Sequence, residues 1–258
     1  MTNADHGWSV VRVAIAPLHE EPRVSSPQTS QCLAGHVLEI LETQGEWVRV
    51  RGADRYEGWV HSGYLARTPD GTARRSRGAR RVSLGCITRT PGGGQRVLPL
   101  GAYLSPEETV ESGEAVDEMT AAARFPATAS AVSRTAPEFF AGTSYQWGGI
   151  TPWGADCSGF VQSVFGLHGV SLPRDAWQQA AAGAPVERGL TALHAGELAF
   201  FSDRDDRKIT HVGLCVGEGR LAHVAVGRGG FAIERVSDGS DAYVKKLLER
   251  FREARTVL

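Results

Sequence analysis

The stretch Gly154-Ala155-Asp156-Cys157-Ser158-Gly159-Phe160-Val161-Gln162-Ser163-Val164-Phe165-Gly166-Leu167-His168-Gly169 decides how the second half of this chain reads. Phe160, Val161, Val164 and Phe165 fall on one face of a helix over residues 158–168, and Gly169 stands where a helix stops. Cys157 is then at the first turn, among unpaired backbone N–H groups and the positive end of the helix dipole. Both favour thiolate over thiol, as an attacking cysteine requires. A small buried apolar residue in a helix cap would leave the same trace, so the nucleophile reading needs a base nearby.

Working outward, Ala131, Val132, Thr135, Ala136, Phe139 and Phe140 form a second helical stripe, and a third helix is expected from Ala176 to Ala182. Strands follow at Glu197 to Phe201, Ile209 to Val216, Arg220 to Val226 and Gly230 to Arg235. Helices first and strands afterwards make residues 126–258 an α+β domain. The strand pair around Gly217-Glu218-Gly219 carries His211 and His223. A three-residue loop sets Val216 opposite Arg220 and His223 opposite Gly213, with the two histidines as diagonal neighbours on one face. A two-residue loop would put them on opposite faces. On one face, His211 takes the thiol proton and His223 orients its other ring nitrogen. Two isolated strand histidines remain the plainer reading. A zinc site of Cys157, His211, Cys215 and His223 has suitable ligand types, but the spacing matches no standard zinc pattern. No metal or organic cofactor is expected.

Toward the N-terminus, residues 1–67 read as short strands with glycine turns, around Ser9-Val10-Val11-Arg12-Val13-Ala14, Val37 to Leu41, Trp47 to Arg51, Gly58 to Val60 and Tyr64-Leu65. That spacing suggests a small barrel. Residues 68–80 are a polar, basic linker, and residues 81–125 are a second small β-rich module, interrupted by Pro91-Gly92-Gly93-Gly94 and closed by an acidic stretch from Glu107 to Glu118.

Composition narrows the function. Of 258 residues, 41% are apolar and 22% charged, an ordinary globular balance, and the net charge is −1. No strong field draws the chain to nucleic acid or an anionic membrane, and the basic linker has no interleaved aromatic residues. No run approaches a transmembrane span, and Met1 to Trp8 lack a basic start followed by an apolar run, so a cytoplasmic location is expected. Cys32, Cys86, Cys157 and Cys215 are scattered, as suits free thiols in a reducing compartment. The oligomeric state is open.

Several motifs in order now point to a family. Tyr145-Gln146-Trp147-Gly148-Gly149, Asp156-Cys157-Ser158-Gly159-Phe160, Leu172-Pro173-Arg174-Asp175, Gly196-Glu197-Leu198-Ala199-Phe200-Phe201 and Thr210-His211-Val212-Gly213 followed by His223 resemble the NlpC/P60 cysteine peptidases of bacterial cell-wall peptides. Glu197 departs from the usual Asp after the glycine. The first modules look like bacterial SH3-like barrels.

The resemblance implies a papain-like catalytic domain with Cys157 as nucleophile, His211 as general base and His223 as third polar residue. It puts Tyr145 near the oxyanion, with Trp147 in the same motif among the substrate contacts. Asp156 and Ser158 resemble residues that hold a γ-D-glutamyl group. Leu172-Pro173-Arg174-Asp175 resembles the subgroup that cuts murein peptides with a free N-terminal L-Ala, a carboxylate there meeting the substrate amine. Asp175 reads equally as the N-cap of the next helix. In that subgroup the first barrel caps the substrate, which brings in Tyr56 and Glu21, each otherwise an exposed loop residue. The function implied is a cytoplasmic γ-D-glutamyl-L-diamino acid endopeptidase that recycles murein peptides. The alternatives are an exported hydrolase of intact wall and a non-catalytic wall-binding protein. Whether the diamino acid is diaminopimelate or lysine stays open.

Overall fold

The computed structural model describes residues 7–68 and 80–258, which divide into two compact units, Met1–Arg124 and Phe125–Leu258. In the first unit, β1 (Gly7–Val11), β2 (Ile15–His19), β3 (Gln28–Leu33), β4 (Val37–Gln44), β5 (Trp47–Arg51), β6 (Glu57–His61) and β7 (Leu65–Thr68) form one sheet. Its order is β3-β2-β6-β5-β4-β1-β7. Alternate residues face inward, so Val11, Ala16, Leu18, Leu38, Ile40, Val48, Val50 and Val60 make one apolar core. The sequence had not marked β2 and β3. Pro17 and His19 interrupt the first, and the second is polar, Gln28-Thr29-Ser30-Gln31.

A second sheet follows, of β8 (Arg81–Arg89), β9 (Gln95–Leu98), β10 (Tyr103–Leu104) and β11 (Thr109–Asp117), with β8 at its centre. The acidic stretch that was expected to close this module is itself the strand β11. It pairs along the length of β8 from Thr109 opposite Arg89 to Asp117 opposite Arg81. Arg89 meets Glu111 across the pair at 2.5 Å, and Glu114 meets Arg124 of the helix that follows at 2.6 Å. Helix α1 (Glu118–Arg124) ends the unit. Of the linker expected over residues 68–80, Thr68 ends β7 and residues 69–79 lie outside the described residues.

The second unit begins with α2 (Ala129–Phe140), capped by Thr128. The short pair β12 (Ile150–Thr151) and β13 (Gly154–Ala155) then leads into α3 (Cys157–Leu167). Phe160, Val161, Val164 and Phe165 are wholly buried, each contributing about 1.5–3 kcal/mol of apolar burial. Phe160 meets Phe140 of α2 edge-on at 5.1 Å. Gly169 takes φ 74 just after the helix, the left-handed stop its position suggested.

Beyond α3 come α4 (Ala176–Gln179), β14 (Ala184–Val186), β15 (Leu198–Phe201), β16 (His211–Gly217), β17 (Arg220–Ala225), β18 (Gly230–Arg235), α5 (Ala242–Arg250) and β19 (Phe251–Thr256). The strands form an antiparallel sheet ordered β14-β19-β15-β16-β17-β18, and α3 packs on β16 and β17. Helix α4 stops at Gln179 rather than Ala182, its last residues continuing as hydrogen-bonded turns. Helix α5 and strand β19 had no place in the sequence reading. Asp241 caps α5 through the Tyr243 and Val244 amides, and Leu247 joins a core with Ala199, Phe201, Cys215, Leu221 and Ala254.

The turn between β16 and β17 corrects the hairpin argument. The turn has two residues, Glu218 and Gly219, both at positive φ, with Gly217 opposite Arg220. A bulge between Cys215 and Gly217 then shifts the register by one, so Leu214 faces Ala222. The shifted register restores the parity that a three-residue loop would have given. His211 and His223 share a face for a reason the loop length alone did not supply.

Candidate active site

Cys157 opens α3 because Asp156 ends the preceding extended segment. The Asp156 carboxylate accepts from the Gly159 amide at 2.7 Å and from the Gly148 amide at 2.9 Å. Arg174 grips the same carboxylate in a fork, at 3.0 and 2.6 Å, and reaches the Ser158 hydroxyl at 2.9 Å. Arg174 is 1% exposed, and Asp156 and Ser158 are also buried. These three side chains brace the first turn of the helix from beneath. Gly159 is needed here on steric grounds, since a Cβ would sit 2.1 Å from the Gly149 carbonyl oxygen. The Gly148-Gly149 and Cys157-Ser158-Gly159 motifs are thus two sides of one close approach.

The thiol behaves otherwise than the helix terminus alone suggested. Burial, and then the Asp156 charge, push Cys157 up to about 12, against the downward pull of the Val212 amide, Arg174 and the Ser158 amide. Enclosure outweighs the dipole and favours the thiol.

His211 begins β16, one residue before the Val212 amide that reaches the cysteine sulfur. Its Nε2 lies 2.9 Å from Nδ1 of His223, which is fully buried. His223 Nε2 in turn lies 3.4 Å from Oε1 of Glu234. Register explains the third member: Leu221 pairs with Glu234 and His223 with Ala232, so Glu234 is a diagonal neighbour on the histidine face. Arg228, from the turn joining β17 and β18, forks onto both Glu234 oxygens at 2.6 and 2.9 Å. It also meets Asp241 at 2.6 Å.

This chain fixes the tautomers. Burial alone would raise the Glu234 carboxyl, but hydrogen bonds from His223 and Arg228 hold it down at about 2. An ionised carboxylate only accepts, so in the neutral form of His223 the proton sits on Nε2 and Nδ1 offers a lone pair. His211 must then donate from Nε2, leaving Nδ1 as its basic nitrogen. Burial, His223 and Arg250 together lower His211 to about 3, so the resting imidazole is neutral.

Cys157, His211 and Tyr145 open on a cavity of about 290 Å³. Its far wall is α5, whose Tyr243, Lys246, Leu247 and Arg250 face it, with Asp203 and Thr210 at the side. Trp147 is 65% exposed in the turn before β12. Asp175 caps α4, its amide donating to Gln178 Oε1 at 3.2 Å. Tyr56 and Glu21 belong to the first unit. Tyr56 is half-buried against the barrel core, and Glu21 pairs with Arg23 at 2.6 Å. Cys215 lies in the apolar cluster beneath α5. Among the described residues no group of three or more His, Cys, Asp or Glu is arranged to hold a metal ion.

Residues 142–252 match the NlpC/P60 family and residues 16–66 the bacterial SH3 domain. The chain is 32% identical to "Gamma-D-glutamyl-L-lysine dipeptidyl-peptidase" of Bacillus subtilis (strain 168), over 84% of this chain and 78% of that one. This chain belongs to the NlpC/P60 family. It is also 36% identical over 118 residues to "Murein DD-endopeptidase MepS/Murein LD-carboxypeptidase" of Escherichia coli (strain K12), 45% of this chain and 57% of that relative. A solved NlpC/P60 family protein from Bacillus cereus ATCC 10987 superposes with a TM-score of 0.79 at 18% identity, covering 98% of this chain and all of that one. That likeness shows the fold, an α+β NlpC/P60 unit preceded by SH3-like strands. The NlpC/P60 assignment makes the chain a cysteine peptidase.

Sequence reasoning had not identified Glu234, Arg228 or the α5 wall. The register argument used for His211 and His223, carried one strand further, would have found Glu234. The pattern Asp241-Ala242-Tyr243-Val244 with Leu247 is a capped amphipathic helix and would have marked α5.

Proposed function

We propose that this NlpC/P60 protein hydrolyses the γ-D-glutamyl-L-diamino acid bond of released murein peptides that begin with a free L-Ala, in the cytoplasm. The observation that carries the chemistry is the hydrogen-bonded chain from His211 through His223 to Glu234, set beside a cysteine at a helix N-terminus. The choice of bond is supported by the printed activity of the Bacillus subtilis relative. The motif resemblance around Asp175 supports the free amine.

In this reading the Cys157 proton passes to His211 Nδ1 as sulfur attacks the γ-carbonyl carbon. The oxyanion forms against the Cys157 amide and the Tyr145 hydroxyl. Collapse breaks the C–N bond, and His211 returns the proton to the leaving amine. Water, deprotonated by His211, then cleaves the thioester to give L-Ala-D-Glu and free thiol. His223 and Glu234 hold the base in the one tautomer that works in both directions. Asp156, Ser158 and Arg174 position the attacking turn, and Asp175 takes the substrate ammonium.

The test is mass spectrometry of products from L-Ala-γ-D-Glu-diaminopimelate and its N-acetylated form. Cleavage after D-Glu in the free-amine peptide alone is expected, with Cys157→Ala folded and inactive. Equal cleavage of both peptides would remove the free-amine reading, and hydrolysis by the Cys157→Ala protein would remove the mechanism.

A further inference from the structure

Gln179 closes α4, is wholly buried, and uses only half of its side-chain amide. Its Nε2 donates to the Ser158 carbonyl at 3.0 Å and to the Pro173 carbonyl at 2.8 Å. Its Oε1 has no hydrogen-bond partner among the described residues. An enclosed acceptor without a partner is unfavourable, and an apolar side chain of the same size would avoid it. What the glutamine supplies is its pair of donors. One reaches the residue after the nucleophile, and the other reaches the segment that leads into Asp175. The neighbours of Pro173 are fastened to the same helix. Gln162 of α3 donates to the Leu172 carbonyl at 3.1 Å, and Arg174 grips Asp156 and Ser158. The Gln179 backbone amide donates to the Asp175 carbonyl at 2.9 Å. One residue therefore holds the main chain of Asp175 at one end and the turn that carries Cys157 at the other.

We propose that Gln179 is a positioning residue that sets the separation of Asp175 and Cys157, and with it the distance between the substrate ammonium and the bond attacked. This rests on the reaction proposed above, in which Asp175 takes that ammonium. A substrate anchored at its amine reacts only if its γ-carbonyl then falls at the sulfur, and a misplacement of about 1 Å costs about 10²-fold in rate. Arg174 braces the same segment through side chains. Gln179 braces it through two main-chain carbonyls, so the backbone itself is held in register. A Met at 179 keeps the bulk and the backbone bond to Asp175 and loses only the two side-chain donors.

Two substrates decide it, tested on the full chain with Gln179→Met. L-Ala-γ-D-Glu-diaminopimelate needs both ends of the site, whereas p-nitrophenyl acetate acylates the cysteine without an amine. The part of the ester reaction lost in Cys157→Ala is the cysteine's own. The expected result is a kcat on the tripeptide at least about tenfold lower, with KM and the Cys157-dependent acylation each within about twofold of the unaltered protein. Circular dichroism and a thermal melt check the fold. If Gln179→Met does not fold, Gln162→Met removes the neighbouring bond to Leu172, and the same split between tripeptide and ester is expected. An unchanged kcat, a rise in KM alone, or an equal loss on both substrates overturns the positioning role while leaving the reaction standing. An unaltered protein that is acylated by the ester but leaves the tripeptide whole overturns the reaction and this inference with it.

Discussion

Glu234 offers a direct probe of the relay, because it touches neither the cysteine nor the cavity. Replacing it with Gln keeps the shape and removes the charge. The carboxylate now accepts from His223 Nε2 at 3.4 Å and from Arg228 at 2.6 and 2.9 Å. A hydrogen bond to a charged group contributes about 1.5–3 kcal/mol, and the long His223 contact belongs at the lower end. The amide also turns equally well with its NH2 toward His223, which stabilises the tautomer with the lone pair on Nε2. In that tautomer Nδ1–H confronts His211 Nε2–H, and the base nitrogen is lost. At 1.36 kcal/mol per factor of ten, the expected fall in kcat/KM is about ten- to a hundredfold. KM should move little, because Glu234 does not itself line the cavity. The acid limb of the pH profile should also shift to lower pH, since the anion that favours a protonated histidine pair is gone. A brace acting only through Arg228 would lower stability and leave that limb in place. The assay is the pH dependence of kcat/KM on the cleaved tripeptide, with a thermal melt beside it. An unchanged rate and an unchanged acid limb in a folded Glu234→Gln protein would refute the relay.

Two further outcomes follow from the buried charges. Arg174→Ala leaves the Asp156 carboxylate enclosed without its cation and should cost about 3–5 kcal/mol in a urea titration; a loss below about 1 kcal/mol would mean that water reaches the pair. The neutral His211 makes the fold acid-sensitive in a defined window. Its folded value, about 3, lies below the unfolded value of about 6.5, so below pH 6.5 the unfolded chain binds a proton that the native one refuses. Stability then falls by up to about 1.4 kcal/mol per pH unit down to about pH 3. Glu234 adds nothing to that loss until the pH nears its own unfolded value of about 4.3. His211→Gln should flatten the slope between pH 6.5 and 4.5, and an unchanged slope would place the acid sensitivity elsewhere.

The parts of this molecule that were legible in its sequence are those where one local rule acts alone. The α3 face is a period of apolar residues ended by Gly169, and Cys157 falls at its start whatever the rest of the chain does. The diagonal pairing of His211 and His223 was legible only by a compensation. A two-residue turn and a bulge at Val216 together give the parity of a three-residue loop. The bulge lies between Cys215, which belongs to an apolar cluster with Leu221, and Gly217, and no turn residue announces it. Strand β11 was hidden for a related reason. Its exposed face is acidic, and its arginine partners lie in other elements, Arg89 of β8 on Glu111 and Arg124 of α1 on Glu114. Charge patterns read along a chain as solvated runs become ladders only when the partner strand is known.

The thiol shows where local reasoning gives the wrong sign. A helix N-terminus lowers a cysteine only if the charge can be felt without losing water, and Cys157 is 8% exposed. With the thiol raised and the imidazole lowered, moving a proton between them before substrate arrives is uphill in both halves. Burial of each group thus opposes a thiolate–imidazolium pair in the empty site. In the proposed reaction the charge acceptor changes: negative charge passes from sulfur to the carbonyl oxygen, beside the amide dipoles at the helix start. The dipole that fails to ionise the resting thiol is placed where the developing charge ends up. In the same proposed step the imidazolium that forms is the species that His223 and Glu234 would stabilise. The two halves of the site thus act on opposite charges that exist only together. The requirement for substrate is built into the burial itself, because the same enclosure that suppresses the ion pair in the empty site strengthens every dipole once the pair is made.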